Sequence, residues 1–333
     1  MRRGADAAGI AAAAAILRQG GLVAFPTETV YGLGAQALDP VAVRKIFEAK
    51  GRPAFNPLIV HVLDADAARA LVTRWPPLAE ALVQRFWPGP LTLVLPRRPI
   101  VPDVITGGGP TVAIRSPAHP VARALLAAAA VPIAAPSANR FTELSPVTAE
   151  QVERSLGDRV ACILDGGRTN VGIESTVIDL SGAGPILLRP GTITQAELES
   201  VTGPLARPSV ASDDQSPRPS PGMIARHYAP RATVVLVRST EIEATIARAR
   251  PVDGSRDAKI GLITWSPGER RRAPHPAIWH RALPADAAGY AAELYHALHA
   301  GDEAGCACIL VEHPPADPAW DGIRDRLTRA AHP

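Results

Sequence analysis

Two cations, Lys50 and Arg52, flank a glycine where a helix must give way to a strand, and an amide, Asn56, follows four residues after the arginine. Lysine as a point charge and arginine as a planar fork make a phosphate clamp. Lys50 lies seven residues after Val43 and three after Phe47, so helical periodicity puts it on the apolar stripe, pointing inward near the helix end. A lysine at that position can also snorkel and cap its own helix, and taken alone that plainer role stands slightly ahead. No GxxxxGK[ST] occurs, so the clamp is not a Walker loop.

Other residues of chemical interest sit on strands. His61 lies within the apolar run Leu58–Val62, where a lone histidine is more often a core residue than a ligand. Thr111 and Arg115 share one face of a strand by period two, while Val112 and Ile114 take the other. Ala113 between the two polar residues is small enough to admit a ligand, which points to a groove floor, and Arg115 there suits a carboxylate. Ser137 and Asn139 follow the apolar strand Val131–Ala135; such residues are turn formers by default, but strand ends are also where open α/β sheets bind ligands. Asp165-Gly166-Gly167 and Gly172-Ile173-Glu174-Ser175-Thr176 are two further turn-and-strand junctions. Without a GxSxG elbow, a Ser-His-Asp hydrolase has no support.

The elements that must position these residues alternate between strand and helix. Strands are expected at Leu22–Phe25, Leu58–Val62, Leu91–Leu95, Thr111–Arg115, Val131–Ala135, Val160–Asp165, Thr176–Leu180 and Ile186–Arg189. Asp39-Pro40 is an N-cap and N1 pair opening a helix that Gly51 ends, and further helices are expected at Pro77–Phe86 and His119–Ala130. Thr148 with Gln151 forms a capping box. The last three strands have little chain between them for crossover helices, so part of the sheet must be antiparallel. The expected fold is α/β, a twisted mixed parallel and antiparallel sheet. A Pro- and Ser-rich stretch then marks a boundary, giving a domain over 1–205, a linker over 206–230 and a small domain over 231–333. In the last, alternating strands and helices predict a parallel three-layer, Rossmann-like arrangement.

Composition narrows the class. With 47% hydrophobic residues the 333-residue chain can bury sizeable cores, and a formal charge of +3 is too small for a strong polyanion binder. Three cysteines, Cys162, Cys306 and Cys308, with no CxxC pair, argue against a disulfide framework or a zinc site. The N-terminus lacks a clean apolar secretory segment, and no apolar run is long enough to span a bilayer, so a cytoplasmic protein with no membrane partner is expected.

Taken together, PTETVYGLGA (26–35), KGRPAFNPLIVH (50–61), FWPGPLTLVL (86–95), TVAIRSPAHP (111–120), PIAAPSAN (132–139), DGG (165–167), GIESTVID (172–179) and LRPG (188–191) resemble, in order and spacing, the threonylcarbamoyl-AMP synthase (YrdC-like) family. SPGMIARHYAP (220–230), followed by a small α/β domain, resembles the two-domain branch of that family. The resemblance implies a nucleotidyltransferase with a deep basic groove. It would join L-threonine, bicarbonate and ATP into threonylcarbamoyl-AMP and pyrophosphate, with Mg2+ carried on the ATP. The product would pass to a tRNA threonylcarbamoyl transferase complex for N6-threonylcarbamoylation of adenosine 37 of tRNA, and the enzyme itself would touch tRNA weakly at most.

By motif position the family's threonine contacts fall on Thr29, His61, Arg115 and Ser175. Its ATP contacts fall on Arg52, Asn56, Thr111, Ser137, Ser145 and Arg189, with Tyr228 closing over the nucleotide. Lys50, Arg52, Ser137 and Asn139 match its signature catalytic tetrad. Two stretches depart from the pattern. Arg140-Phe141-Thr142-Glu143-Leu144 stands where many relatives carry glycine, and Met223-Ile224-Ala225-Arg226 where relatives often carry a lysine. The competing readings are an RNA-binding module and the carbamoyl-transfer protein of hydrogenase maturation. The first lacks any recognisable RNA-binding motif, and the second lacks its zinc-finger cysteines.

Overall fold

The computed structural model describes residues 1–208, 228–248, 259–265 and 278–332. They form two compact units: one holds the described residues up to 208 apart from 142–144, and the other holds 142–144 with those from 228 onward. Most of the expected linker, 209–227, lies outside the described residues, and the departure at Met223-Ile224-Ala225-Arg226 lies there with it.

The first unit is built on ten strands: β1 (Arg2–Gly4), β2 (Val23–Pro26), β3 (Tyr31–Gln36), β4 (Ile59–His61), β5 (Leu91–Pro96), β6 (Thr111–Arg115), β7 (Ile133–Ala134), β8 (Cys162–Asp165), β9 (Thr176–Asp179) and β10 (Ile186–Arg189). Their order is β1-β8-β2-β3-β7-β4-β6-β5-β9-β10. β4 runs parallel to β6 and β5 to β9, whereas β5–β6 and β9–β10 are antiparallel, so the sheet is mixed as expected. β8 does not neighbour β9 but lies beside β1 and β2 toward the opposite edge, because residues 166–175 carry the chain across as an irregular segment.

The two faces of this sheet are covered differently. On one, Ala24, Leu33, Val60, Leu93, Val112, Ile114 and Ile178 join the main core under helices Pro40–Lys50, Pro77–Phe86, Ala149–Leu156 and Gln195–Thr202. On the other, helices Ala7–Arg18 and Pro120–Ala129 cover Val23, Phe25, Ile133 and Leu164, which is only the β8-β2-β7 side. Over β4, β6, β5, β9 and β10 that same face carries a separate small cluster, Ile59, Ala113, Val94, Val177 and Leu188, whose members all come from strands. Thr111 and Arg115 flank Ala113 there by period two, with Val112 and Ile114 turned to the main core, as the alternation requires.

Capping fixes the helix that carries Lys50. The Asp39 side chain accepts from Val41 and Ala42, Pro40 opens the first turn, and Gly51 closes the helix in the left-handed conformation at φ 64°. The Thr148–Gln151 capping box also forms. β3, by contrast, has no alternation to announce it. A Cβ on Gly34 would come within 2.8 Å of both Ile133 and Phe25, so that glycine serves close packing inside a strand and not a turn.

The second unit holds four parallel strands, β11 (Thr233–Val237), β12 (Lys259–Thr264), β13 (Ile278–Ala282) and β14 (Cys306–Glu312), in the order β11-β14-β12-β13. Helices Ala287–Glu303 and Asp321–Ala330 accompany them, which matches the expected small parallel domain. Among the described residues no helix is long and apolar enough to cross a membrane.

Candidate active site

The polar residues singled out in the sequence lie mostly along the part of the first unit's sheet that carries the small strand cluster. Lys50 is buried and turns inward, as its place on the stripe requires. It does not cap its own helix, because Gly51 does so through N–H bonds to the carbonyls of Phe47 and Glu48. Instead the Lys50 ammonium donates to the Ser137 carbonyl at 2.7 Å and, by a very short bond, to the Asn139 carbonyl. The Asn139 side-chain oxygen lies 3.5 Å away. The lysine therefore ties the helix end to the loop that leaves β7. A buried ammonium in such a place is a fixed positive charge needing no reorganisation when an anion arrives.

Arg52 folds its own loop. Its Nε donates to the Asn56 carbonyl at 3.2 Å and its Nη2 to the Pro57 carbonyl at 2.9 Å. Asn56 itself is fully buried, and neither its side-chain Nδ2 nor its side-chain Oδ1 has a hydrogen-bond partner among the described residues. An unsatisfied buried amide costs about 1–3 kcal/mol.

Arg115 gathers the other end. Its Nε donates to the Gly89 carbonyl at 3.2 Å and its Nη1 to the Thr29 hydroxyl at 2.9 Å. Thr29 is held in turn by the Thr27 hydroxyl at 2.8 Å. His61 sits opposite Arg115 in the β4–β6 register, edge-on to Phe25 at 6.2 Å, with its Nδ1 buried and unpartnered. Burial and, secondarily, the Arg115 charge lower the His61 pKa to about 3, so the imidazole is neutral at physiological pH. Ser175 closes this end. Its hydroxyl pairs with the Thr92 hydroxyl at 2.8 Å and accepts from Arg189 Nη2 at 3.2 Å, while Arg189 Nε holds the Ser175 carbonyl at 3.1 Å.

Ser145 is fully buried and donates to Glu174 at 2.6 Å. Thr111 is half-buried at the far end of β6 from Arg115. At ~3.3 Å per residue the two lie about 13 Å apart along the strand. The first unit thus brings Thr29, His61, Arg115, Ser175 and Arg189 together around β4, β6, β5, β9 and β10, and Lys50, Ser137 and Asn139 at the end of β7. Tyr228 belongs to the second unit, where its ring lies 6.0 Å from that of Tyr295 and 5.4 Å from the Arg326 guanidinium. The departure at 142–144 belongs there too, with Ala229 donating to the Thr142 carbonyl at 3.1 Å.

Three residues escape the sequence reading. Glu28 forms a buried ion pair with Arg115 at 2.7 Å, Thr92 backs Ser175, and Glu174 backs Ser145. Only Thr92 had a periodic signal, since it shares the Val94 face of β5.

Comparison with known proteins identifies the family. Residues 15–191 match the Sua5–YciO–YrdC family, described as telomere recombination, and residues 193–332 match the family described as threonylcarbamoyl-AMP synthase, C-terminal domain. A threonylcarbamoyl-AMP synthase of Pyrococcus abyssi is 43% identical over 96% of this chain and 93% of its own length. One of Bacillus subtilis is 42% identical over 97% of this chain and 92% of its own. A crystal structure of Pyrococcus abyssi Sua5 complexed with L-threonine superposes with a TM-score of 0.89 at 41% identity, covering 99% of this chain and 96% of that one. The chain belongs to the Sua5–YciO–YrdC family, in the branch that carries the threonylcarbamoyl-AMP synthase C-terminal domain.

Proposed function

We propose that this protein is an L-threonylcarbamoyl-adenylate synthase, a nucleotidyltransferase that joins L-threonine, bicarbonate and ATP and releases pyrophosphate. The observation that carries the reading is the burial, in one unit, of four cationic side chains, Arg115 with Lys50, Arg52 and Arg189. The synthases named above, alike over nearly their whole length, support it and weigh against a stand-alone RNA-binding module.

In this reading Arg115 takes the threonine carboxylate, and Thr29, neutral His61 and Ser175 orient the amino acid. The threonine ammonium loses a proton, and the free amine adds to the carbon of carbon dioxide with loss of a second proton, or to that of bicarbonate with loss of water, giving a carbamate. A carbamate oxygen then attacks the α-phosphorus of ATP, and the bond to the departing pyrophosphate breaks. The protein's task is to align the attack and neutralise the phosphates. Lys50, Arg52 and Arg189 do the second, while Asn56, Thr111, Ser137, Asn139 and Ser145 hold the nucleotide.

Magnesium would be carried on the triphosphate and would help neutralise it. Among the described residues no cluster of carboxylates stands ready as a cage: Glu28 is engaged by Arg115 and Ala118, and Glu174 by Ser145. We place the catalytic domain at 1–205, the closing linker at 206–230 and the accessory domain at 231–333. The reaction belongs in the cytoplasm, with the adenylate passed to a tRNA threonylcarbamoyl transferase complex and tRNA touched weakly at most. Pyrophosphate release tests the reading: it must require threonine and bicarbonate together. Release from ATP independent of threonine would overturn it.

A further inference from the structure

The Glu28–Arg115 pair has an unusual geometry. Both side chains are closed to solvent, at 6% and 4% exposure, and Glu28 Oε1 stands 2.7 Å from Arg115 Nη2. Yet neither atom has a partner in hydrogen-bond geometry, so the oxygen does not lie along an N–H direction of the fork. The second Glu28 oxygen is fixed by the Ala118 N–H at 3.0 Å, which holds the carboxylate where it is. Of the five N–H donors on the guanidinium only two are committed, to Gly89 and Thr29. Glu28 therefore cancels the charge of Arg115 without using up its donors.

We propose that Glu28 is the specificity-determining residue of the amino-acid pocket. Its carboxylate balances the Arg115 charge, so that the pocket accepts a zwitterionic amino acid and disfavours a simple carboxylate anion. The inference rests on Arg115 binding the threonine carboxylate. A zwitterion seated there brings its ammonium group near Glu28 and loses little to the negative charge, whereas an anion meets that charge uncompensated. His61, the other ionisable group in register with Arg115, contributes no charge to the balance.

The test uses the full chain, titrated with L-threonine and with (R)-3-hydroxybutyrate, which is threonine without its amino group. In Glu28→Gln the ratio of the hydroxybutyrate Kd to the threonine Kd is expected to fall about tenfold. An unchanged ratio overturns the proposal. Should Glu28→Gln fail to fold, the double variant Glu28→Gln, Arg115→Gln, which removes both charges, is expected to recover a cooperative melting transition. Failure of the double variant to recover overturns the proposal as well. Arg115→Gln alone separates this inference from its foundation. If that variant binds threonine as the wild type does, the assignment of Arg115 fails and takes the inference with it. If it loses threonine while Glu28→Gln keeps the ratio, only the role of Glu28 fails.

Discussion

At the scale of single residues, Lys50 shows how far a pattern reaches. Its place three residues after Phe47 on the apolar stripe was enough to turn it inward, and it is buried. What it holds could not be read locally, because its partners are carbonyls 87 and 89 residues away. With the ammonium fixed between the helix end and the β7 loop, Lys50→Ala is expected to lower kcat about a hundredfold, a cost of the size met when one preorganised charge is removed. Steady-state kinetics check this, and a near-normal kcat contradicts it. His61 was read from sequence as core or ligand, and its surroundings make it both buried and neutral. The unfolded chain protonates this imidazole near pH 6.5 and the folded one only near 3, so between those values the unfolded state holds more protons. Stability is therefore full above about pH 6.5 and falls, by up to a few kcal/mol, as the pH drops toward 3. Denaturant melts should show this fall in the wild type and a smaller one in His61→Gln.

At the scale of elements, caps and alternation carried well and packing-driven features did not. Asp39-Pro40, Gly51 and the Thr148–Gln151 box are local chemistry, and each occurs where the sequence places it. Thr111–Arg115 was legible as a strand because its polar and apolar residues alternate. β1, β3 and β13 were not legible: the first is three residues long, and the second carries glycines whose reason lies in Ile133 and Phe25. β13, Ile278–Ala282, mixes a histidine and an arginine into its alternation. Glu28 was hidden because a carboxylate in a polar turn looks like solvent until Arg115 is brought to it across 87 residues. Gly51 gives an element-level prediction. Its φ is 64° and a side chain there would meet nothing within 4 Å, so Gly51→Ala pays only in backbone strain. It should lower stability by about 1 kcal/mol while leaving the KM for threonine unchanged, as denaturation midpoints and kinetics can show.

At the scale of the molecule, each unit has its own core, and the sequence's two-part alternation anticipated both. The buried Arg326 of the second unit pairs with Asp325 at 2.6 Å and lies over the ring of Tyr228. Arg326→Ala is expected to destabilise that unit by about 2–4 kcal/mol, seen as a lowered transition in calorimetry. The synthase assignment itself is tested most directly by following label from bicarbonate in the presence of threonine and ATP. The account predicts a labelled adenylate that forms only when threonine is present, with one pyrophosphate released for each molecule made. Pyrophosphate without labelled adenylate, or label incorporated without threonine, would contradict it.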